Sequence, residues 1–317
     1  MSIFYLLLGF VLVVFGGKYL VNSSVQIARH YKLSSMVVGL TIVAFGTSAP
    51  ELWVSFSANI TGHSDIAIGN VLGSNIANIA LVLACVAVIY PIQIISKTIL
   101  RDWLFMFVLT ALALLFLSNN ILTRIESGIL FLILLAFIYM SLTSKKAESC
   151  DDSKEYDCVP PTMNLWKAII LVFLSCITLS FGSDFLVRGA SGIALYFGVD
   201  ERIISISLIA FGTSIPELST SIIAAIRKEM DISVGNIIGS NIFNIGAVFG
   251  ITGLAKPIET ADFLSRYSID MIMVTVVSIV LMVFIVPLYK AKITRIKGAF
   301  YLALYSIYIA ALFFNII

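Results

Sequence analysis

The sequence predicts an all-α, polytopic membrane protein: ten transmembrane helices arranged as two inverted five-helix repeats. Three observations lead there. Of 317 residues, 60% are hydrophobic and only 12% charged, about half the charge of an ordinary soluble domain. Apolar runs long enough to cross a bilayer recur along the whole chain. The two halves also match each other at a constant offset, and each half holds an odd number of such runs.

A hydrocarbon core about 30 Å thick needs about 20 apolar helical residues. Runs bounded by polar, Pro or Gly breaks place spans at 3–25, 34–60, 66–90, 102–118, 122–142, 165–187, 203–226, 232–254, 269–288 and 295–316. The first run lacks the charged leader of a signal peptide and is long enough to span. One long polar segment, Ser144 to Asn164, ends in Pro160-Pro161. It separates an N-terminal repeat (1–143) from a C-terminal repeat (165–317), with a linker at 144–164.

Orientation follows from Lys and Arg in the loops, because cytoplasmic loops retain positive charge. Loops after the odd spans hold Arg29, Lys32, Lys97, Arg101, Lys145, Lys146, Lys154, Arg227, Lys228, Lys290, Lys292, Arg295 and Lys297, which is 13. The other side holds Arg124, Arg188, Arg202, Lys256 and Arg266, which is 5. Both termini are therefore expected outside the cell and the acidic linker in the cytosol. A reducing cytosol disfavours a Cys150–Cys158 disulfide. The short linker suggests, by analogy, a prokaryotic plasma-membrane protein. A net charge of +2, spread between apolar runs, excludes a nucleic-acid partner. The bilayer is the expected partner, no cofactor is expected, and the oligomeric state stays open, a monomer being compatible.

The repeat is dense. From Ala44 to Ile79, 21 of 36 positions are identical, without a gap, to Ala210–Ile245 at an offset of 166 residues. FGTSAPEL (45–52) faces FGTSIPEL (211–218), and GNVLGSNIANI (69–79) faces GNIIGSNIFNI (235–245). Five spans per repeat turn the second copy upside down, an arrangement typical of secondary transporters with a midplane substrate site. Duplication kept only as scaffolding would preserve apolar packing positions. The preserved residues here are Gly, Thr, Ser, Pro, Glu and Asn, which are costly in lipid.

Glu51 and Glu217 are the only carboxylates deep inside the predicted spans. A central charge costs about 2.5–3.5 kcal/mol on insertion scales, and no Lys or Arg lies at matching depth. A bound cation is the economical compensation. Pro50 and Pro216 remove an N–H and clash with the carbonyl four residues back, so each helix should break there. The break should leave carbonyls around Ala44–Thr47 and Ala210–Thr213 without helical donors, tolerable only at a cavity or ligand. Thr47, Ser48, Thr213 and Ser214 bring hydroxyls to the same point. Asn70, Ser74 and Asn78 share one helix face at i, i+4, i+8, repeated by Asn236, Ser240 and Asn244. The adjoining glycines, Gly69, Gly73, Gly235 and Gly239, read mainly as packing residues. Hard oxygens without Cys or His suit Ca²⁺, which takes about 6–8 of them, rather than a thiol- or imidazole-preferring metal.

GTSAPE (46–51) and GTSIPE (212–217), each followed by GNxxGSN, resemble the α-repeats of the cation/calcium exchanger superfamily, sodium/calcium branch. The resemblance implies that helices 2, 3, 7 and 8 form the ion-binding core and that Glu51 and Glu217 ligate Ca²⁺ with Thr47 and Thr213. It implies Na⁺ ligation by the Ala44 and Ala210 carbonyls and by Ser48, Ser74, Ser214 and Ser240, with Glu51 and Glu217 shared. Helices 1 and 6 would slide across the core to alternate access, three Na⁺ exchanging for one Ca²⁺. Some members place an aspartate at one of the positions held here by Asn78 and Asn244. Potassium-dependent relatives rely on that acid, so this chain is expected not to co-transport K⁺.

Other readings weigh less. H⁺/Ca²⁺ exchange on the same fold would use the same glutamates as proton carriers. A channel conflicts with inverted repeats and broken helices, and a hydrolase lacks a His or Lys base beside Ser48 or Ser214. Lys18 and Asp184 are repeat mates that should lie toward opposite surfaces, unpaired with each other. Asp65 and Asp231 read as helix N-caps, the acidic segment 150–158 as a solvated linker, and His30 and His63 as incidental loop residues.

Overall fold

The computed structural model describes residues 1–93, 98–143, 160–197, 212–286 and 292–316. Among these residues the fold is almost entirely helical. Helix α1 (Ser2–Tyr31) is followed by a broken span: α2 (Ser35–Val38), a π-helical turn (Gly39–Val43), α3 (Ala44–Thr47) and α4 (Ala49–Ile60). Helix α5 (Ser64–Ala77) runs through a π-turn (Asn78–Leu83) into α6 (Ala84–Ile89). Then come α7 (Ile99–Leu117), α8 (Arg124–Thr143), α9 (Leu165–Tyr196) and α10 (Ile215–Ile226). Helix α11 (Met230–Phe243) passes through a π-turn (Asn244–Phe249) into α12 (Gly250–Ala255). The chain closes with α13 (Phe263–Arg266), α14 (Ser268–Ile285) and α15 (Arg295–Ile316).

Seven of these stretches are long and apolar enough to cross a membrane: Ser2–Tyr31, Ser64–Ile89, Ile99–Leu117, Arg124–Thr143, Leu165–Tyr196, Met230–Ala255 and Ser268–Ile285. The bent pair Ser35–Thr47 and Ala49–Ile60 makes an eighth. Helices also stand at Ile215–Ile226 and Arg295–Ile316, where the seventh and tenth spans were expected. The start of the seventh span lies outside the described residues, as do most of the linker, Cys150 and Cys158.

Two spans outrun their expected ends. Helix α1 has 30 residues and α9 has 32, against expected ends at 25 and 187. At 1.5 Å per residue each is at least about 45 Å long, more than a bilayer core needs. No proline interrupts either helix past those points, and Gly189 and Gly192 do not break α9, so polarity ended the apolar run without ending the helix. Helix α1 stops only at Lys32, whose left-handed φ of 52° returns its N–H to Ala28 and Arg29 carbonyls.

By packing, the chain forms two compact units that cut across the sequence repeats: Met1–Ala49 with Ile138–Asn236, and Pro50–Phe137 with Ile237–Ile317. In the first unit α1 lies along α9 with backbones in close approach. A Cβ on Gly9 would sit 2.5 Å from the Leu186 amide nitrogen, and one on Gly182 would sit 2.9 Å from that of Val13. Small residues permit such approach without a cavity. His30, expected in a loop, lies in the last turn of α1 and bonds the Met163 carbonyl at 2.7 Å. Thr162 N–H donates to Gln26 at 2.8 Å, so residues 162–163 dock on the end of α1. Asp184 pairs within its own helix with Arg188 at 2.8 Å, on the surface.

The second unit holds two short strand pairs. Strand β1 (Ile92–Gln93) pairs with β4 (Lys292–Ile293), and β2 (Ile121–Leu122) pairs with β3 (Ile258–Glu259), both antiparallel. Ile92 and Ile258 are repeat mates at the 166-residue offset, so each pair joins an early link of one repeat to a late link of the other. Helix α8 starts on a reciprocal cap: Thr123 N–H donates to Glu126 Oε2 at 2.8 Å, and Glu126 N–H donates to Thr123 Oγ1 at 3.3 Å, satisfying two end donors at once. Asp65 is not an N-cap. It accepts from Arg266 at 2.6 Å, Thr260 at 2.7 Å and the Tyr267 hydroxyl at 3.1 Å, tying the start of α5 to the segment before α14. Nearby, Asn59 donates to the Lys256 carbonyl at 2.7 Å and Lys256 Nζ donates to the Asn59 carbonyl at 3.1 Å.

Candidate functional site

The residues singled out by chemistry fall into two sets, one within each unit. In the first, the broken span is the positioning device. Ser48 leaves the helix at φ −85°, ψ 4°, between α3 and α4, and the two segments bend by 44°. Ser214, its repeat mate, holds φ −85°, ψ 0° at the start of α10. Pro50 and Pro216 sit in the first turns of the helices that follow, where a missing N–H costs nothing. One expectation is corrected here: the Ala44 carbonyl does have donors, Ser48 N–H at 2.9 Å and Thr47 Oγ1 at 3.3 Å. The missing N–H of Pro50 would have served the Gly46 carbonyl, so the turn through Ser48 still closes its bond to Ala44.

Around that break, Glu217 is fully buried and its Oε1 accepts the Ser48 hydroxyl at 3.3 Å. Thr47 Oγ1 lies 3.1 Å from Asn236 Oδ1, so its one hydrogen is shared between that oxygen and the Ala44 carbonyl. Asn236 in turn donates Nδ2 to Ser221 Oγ at 3.0 Å. Ser214 is buried with a hydroxyl that has no hydrogen-bond partner among the described residues. Thr213 lies half-buried at the same turn. Ala210 lies outside the described residues.

In the second unit Glu51 is likewise fully buried, with Ser55, Asn59, Ser74, Asn75, Asn78, Ser240, Asn241 and Asn244 all at 1% exposure or less. Asn70 donates Nδ2 to the Glu51 carbonyl at 3.2 Å and to Ser55 Oγ at 2.9 Å. The Asn70–Ser55 and Asn236–Ser221 bonds are repeat mates, so each GNxxGSN helix is fastened to its glutamate-bearing helix in the same way. Asn78 Nδ2 donates to Asn241 Oδ1 at 3.0 Å, and Asn244 Nδ2 donates to Asn75 Oδ1 at 3.1 Å. Asn75 Nδ2 also reaches the Asn241 carbonyl at 3.3 Å. The Oδ1 atoms of Asn78 and Asn244 are buried without a hydrogen-bond partner among the described residues. Both asparagines open a π-turn, a helix widening that recurs at functional sites.

Three features escaped sequence reasoning. Asn75 and Asn241 lie one residue past Ser74 and Ser240, about 100° off the polar stripe, yet they repeat at the same offset and at the same costly depth. Ser55 and Ser221 share that signal. Asp102 and Asp270 are further buried carboxylates, in the first turns of α7 and α14; Arg101 bonds Asp102 at 2.8 Å, and the Tyr308 hydroxyl bonds Asp270 at 2.6 Å. The glycines divide: a Cβ on Gly235 would lie 2.7 Å from the Met36 carbonyl, whereas one on Gly69 or Gly73 meets nothing within 4 Å among the described residues.

Among the described residues no three His, Cys, Asp or Glu side chains gather as a metal cluster. Each set instead holds one buried carboxylate along with buried hydroxyl and amide groups. Hard, weakly basic oxygens of this kind suit Ca²⁺ and Na⁺ better than a transition metal.

The family model described as sodium/calcium exchanger protein matches residues 1–143 and 167–314. The chain is 30% identical to sodium/calcium exchanger MaX1 of Methanosarcina acetivorans, covering 98% of this chain and 97% of that one. It is 42% identical over 257 residues to the putative antiporter CaxA of Alkalimonas amylolytica, 80% of each chain. Among solved structures, the sodium-calcium exchanger NCX_Mj soaked with 2.5 mM Na⁺ and 0.1 mM Ca²⁺ superposes with a TM-score of 0.81 at 31% identity, covering 98% of both chains.

Proposed function

Since the chain belongs to the sodium/calcium exchanger family, whose members are transporters of cations and not enzymes, we propose that it is a secondary antiporter exchanging Na⁺ for Ca²⁺ by alternating access. The carrying observation is the pair of repeat-equivalent glutamates, Glu51 and Glu217, both fully buried. Two formal negative charges balance one divalent ion or two monovalent ions, and competition for one set of oxygens is the simplest physical basis of exchange. In this reading Glu51, Glu217, Thr47 and Thr213 ligate Ca²⁺. Na⁺ takes the Ala44 and Ala210 carbonyls, the hydroxyls of Ser48, Ser74, Ser214 and Ser240, and the same carboxylates, with Asn78 and Asn244 as central neutral oxygens.

The excess of Lys and Arg in the loops after odd spans supports a plasma-membrane orientation with both termini outside and the 144–164 linker in the cytosol. The long, closely packed pair α1 and α9 supports their acting as one rigid sliding body.

The deciding experiment is ⁴⁵Ca²⁺ uptake into proteoliposomes loaded with Na⁺ or with acid, for wild type and Glu217→Gln. Uptake that needs the outward Na⁺ gradient and vanishes in the variant bears out the reading. Uptake driven by the pH gradient alone keeps the glutamates and moves the coupling to protons.

A further inference from the structure

We infer that Asn75 and Asn241 are positioning residues that aim the side-chain carbonyls of Asn244 and Asn78 at the transported cation. The inference rests on the cation-exchange reading above.

An asparagine amide is nearly symmetric in shape, so its direction has to be fixed by partners that only donate or only accept. Asn75 is fixed in this way. Its Nδ2 faces the Asn241 main-chain carbonyl at 3.3 Å, which can only accept. Its Oδ1 therefore faces outward, and the group it meets, Asn244 Nδ2 at 3.1 Å, must be the donor end of that amide. With its nitrogen held, Asn244 turns Oδ1 the other way, into a buried position with no hydrogen-bond partner among the described residues. The second copy reaches the same outcome from a different anchor: Asn241 Nδ2 faces the Met106 thioether at 3.5 Å, which can only accept, and Asn241 Oδ1 holds Asn78 Nδ2 at 3.0 Å, leaving Asn78 Oδ1 buried and unpartnered among the same residues.

Two buried carbonyl oxygens without donors are expensive, about 1–3 kcal/mol each. That cost recurs at repeat-equivalent positions, each at the first residue of a π-turn. A passing cation offsets it, because a carbonyl oxygen is a ligand for Na⁺ or Ca²⁺. Turned by 180°, either amide would instead offer its NH₂, whose hydrogens repel a cation. The clasp therefore decides whether these positions attract or exclude the ion.

It also sets what residue position 244 can hold. An ionised carboxylate there would place an acceptor against Asn75 Oδ1, which has nothing to donate. Only an amide, or an acid that keeps its proton, satisfies that contact. The clasp thus matches the neutral pair at 78 and 244.

The test is ⁴⁵Ca²⁺ binding to the purified, detergent-solubilised protein for wild type, Asn75→Leu, Asn244→Ala, the double variant and Asn75→Asp. Positioning residues around metal ligands typically change affinity about 10-fold or more, so Asn75→Leu should weaken Ca²⁺ binding by about 10-fold. In the double variant the affinity should match Asn244→Ala alone, because Asn75 acts only through Asn244. Asn75→Asp can keep both contacts as the neutral acid, its O–H donating to the Asn241 carbonyl and its other oxygen accepting from Asn244, and should recover most of the affinity; it decides the matter should the Leu variant not fold. Losses that multiply in the double variant, an unchanged Asn75→Leu, or an Asn75→Asp as weak as Asn75→Leu would overturn the inference while leaving the exchange reading intact. A wild type that binds no Ca²⁺ would instead overturn that reading, and the inference with it.

Discussion

Ser48 donates its hydroxyl to Oε1 of Glu217 across 3.3 Å, joining residues from opposite halves of the sequence at a fully buried carboxylate. Its repeat mate Ser214 is equally buried, but its hydroxyl has no hydrogen-bond partner among the described residues. The repeat symmetry is therefore broken in bonding though kept in backbone angles. Ser48→Ala should destabilise the ion-free protein by about 1.5–3 kcal/mol, the worth of a bond to a charged group, and Ser214→Ala should cost much less. Both should raise the Na⁺ concentration needed to drive Ca²⁺ exchange, since each removes one oxygen. Thermal unfolding in Na⁺-free buffer, with a Na⁺ titration of transport, checks this. Equal destabilisation by the two variants would contradict it.

The glycines of the two GNxxGSN segments should also behave differently. A Cβ at Gly235 would press on main-chain atoms, 2.7 Å from the Met36 carbonyl and 2.9 Å from the Leu40 amide nitrogen. Backbone cannot swing aside as a side chain can, so Gly235→Ala should destabilise by about 1–3 kcal/mol, as overpacking does. Gly69→Ala and Gly73→Ala meet no described atom within 4 Å. Their helix propensity gain of about 0.5–1 kcal/mol should leave stability level or slightly raised. Melting temperatures of the three variants decide between these outcomes.

Much of this was readable in advance, for a physical reason. Polar groups inside lipid are so costly that Glu51, Glu217 and the Asn–Ser stripes announce themselves without any structure. The ends of α1 and α9 were not readable, because helices outlast apolar runs when nothing breaks them. Asn75 and Asn241 were missed because the polar stripe was followed only at i, i+4 spacing. Their partners lie across the repeat, and sequence periodicity carries no information on contacts between distant segments. The same limit hid Asp65, whose place at a helix start suggested a cap although Arg266 and Tyr267 claim it.

Tyr267 gives an alkaline prediction. Burial, and then the neighbouring charge of Asp65, push its phenol well above the ordinary tyrosine range. A group whose pKa is raised on folding contributes stability that is whole below its unfolded value, about 10, and is lost as pH climbs through the folded value. Unfolding should therefore become easier above about pH 10, and Tyr267→Phe should flatten that decline while lowering stability near neutrality, where the 3.1 Å bond to Asp65 is lost. Thermal unfolding between neutral and strongly alkaline pH measures both. An alkaline decline as steep in Tyr267→Phe as in wild type would remove Tyr267 as its source.

Potassium should be neither required nor carried. The positions where a carboxylate would add a third negative charge hold Asn78 and Asn244, both buried amides whose nitrogens are committed to Asn241 and Asn75. In the proposed exchange two glutamate charges already balance one Ca²⁺. A co-transported K⁺ would then leave a net positive charge in a low-dielectric region, where an unbalanced ion costs several kcal/mol. A neutral carbonyl supplies too little attraction to offset that. Na⁺-driven Ca²⁺ uptake should therefore proceed at the same rate when external K⁺ is replaced by choline, and ⁸⁶Rb⁺, a K⁺ surrogate, should not accumulate with Ca²⁺. Uptake that collapses in choline would show that some other group supplies the missing charge, and Asp102 and Asp270, the remaining buried acids of the second unit, would be the first residues to neutralise in the search for it.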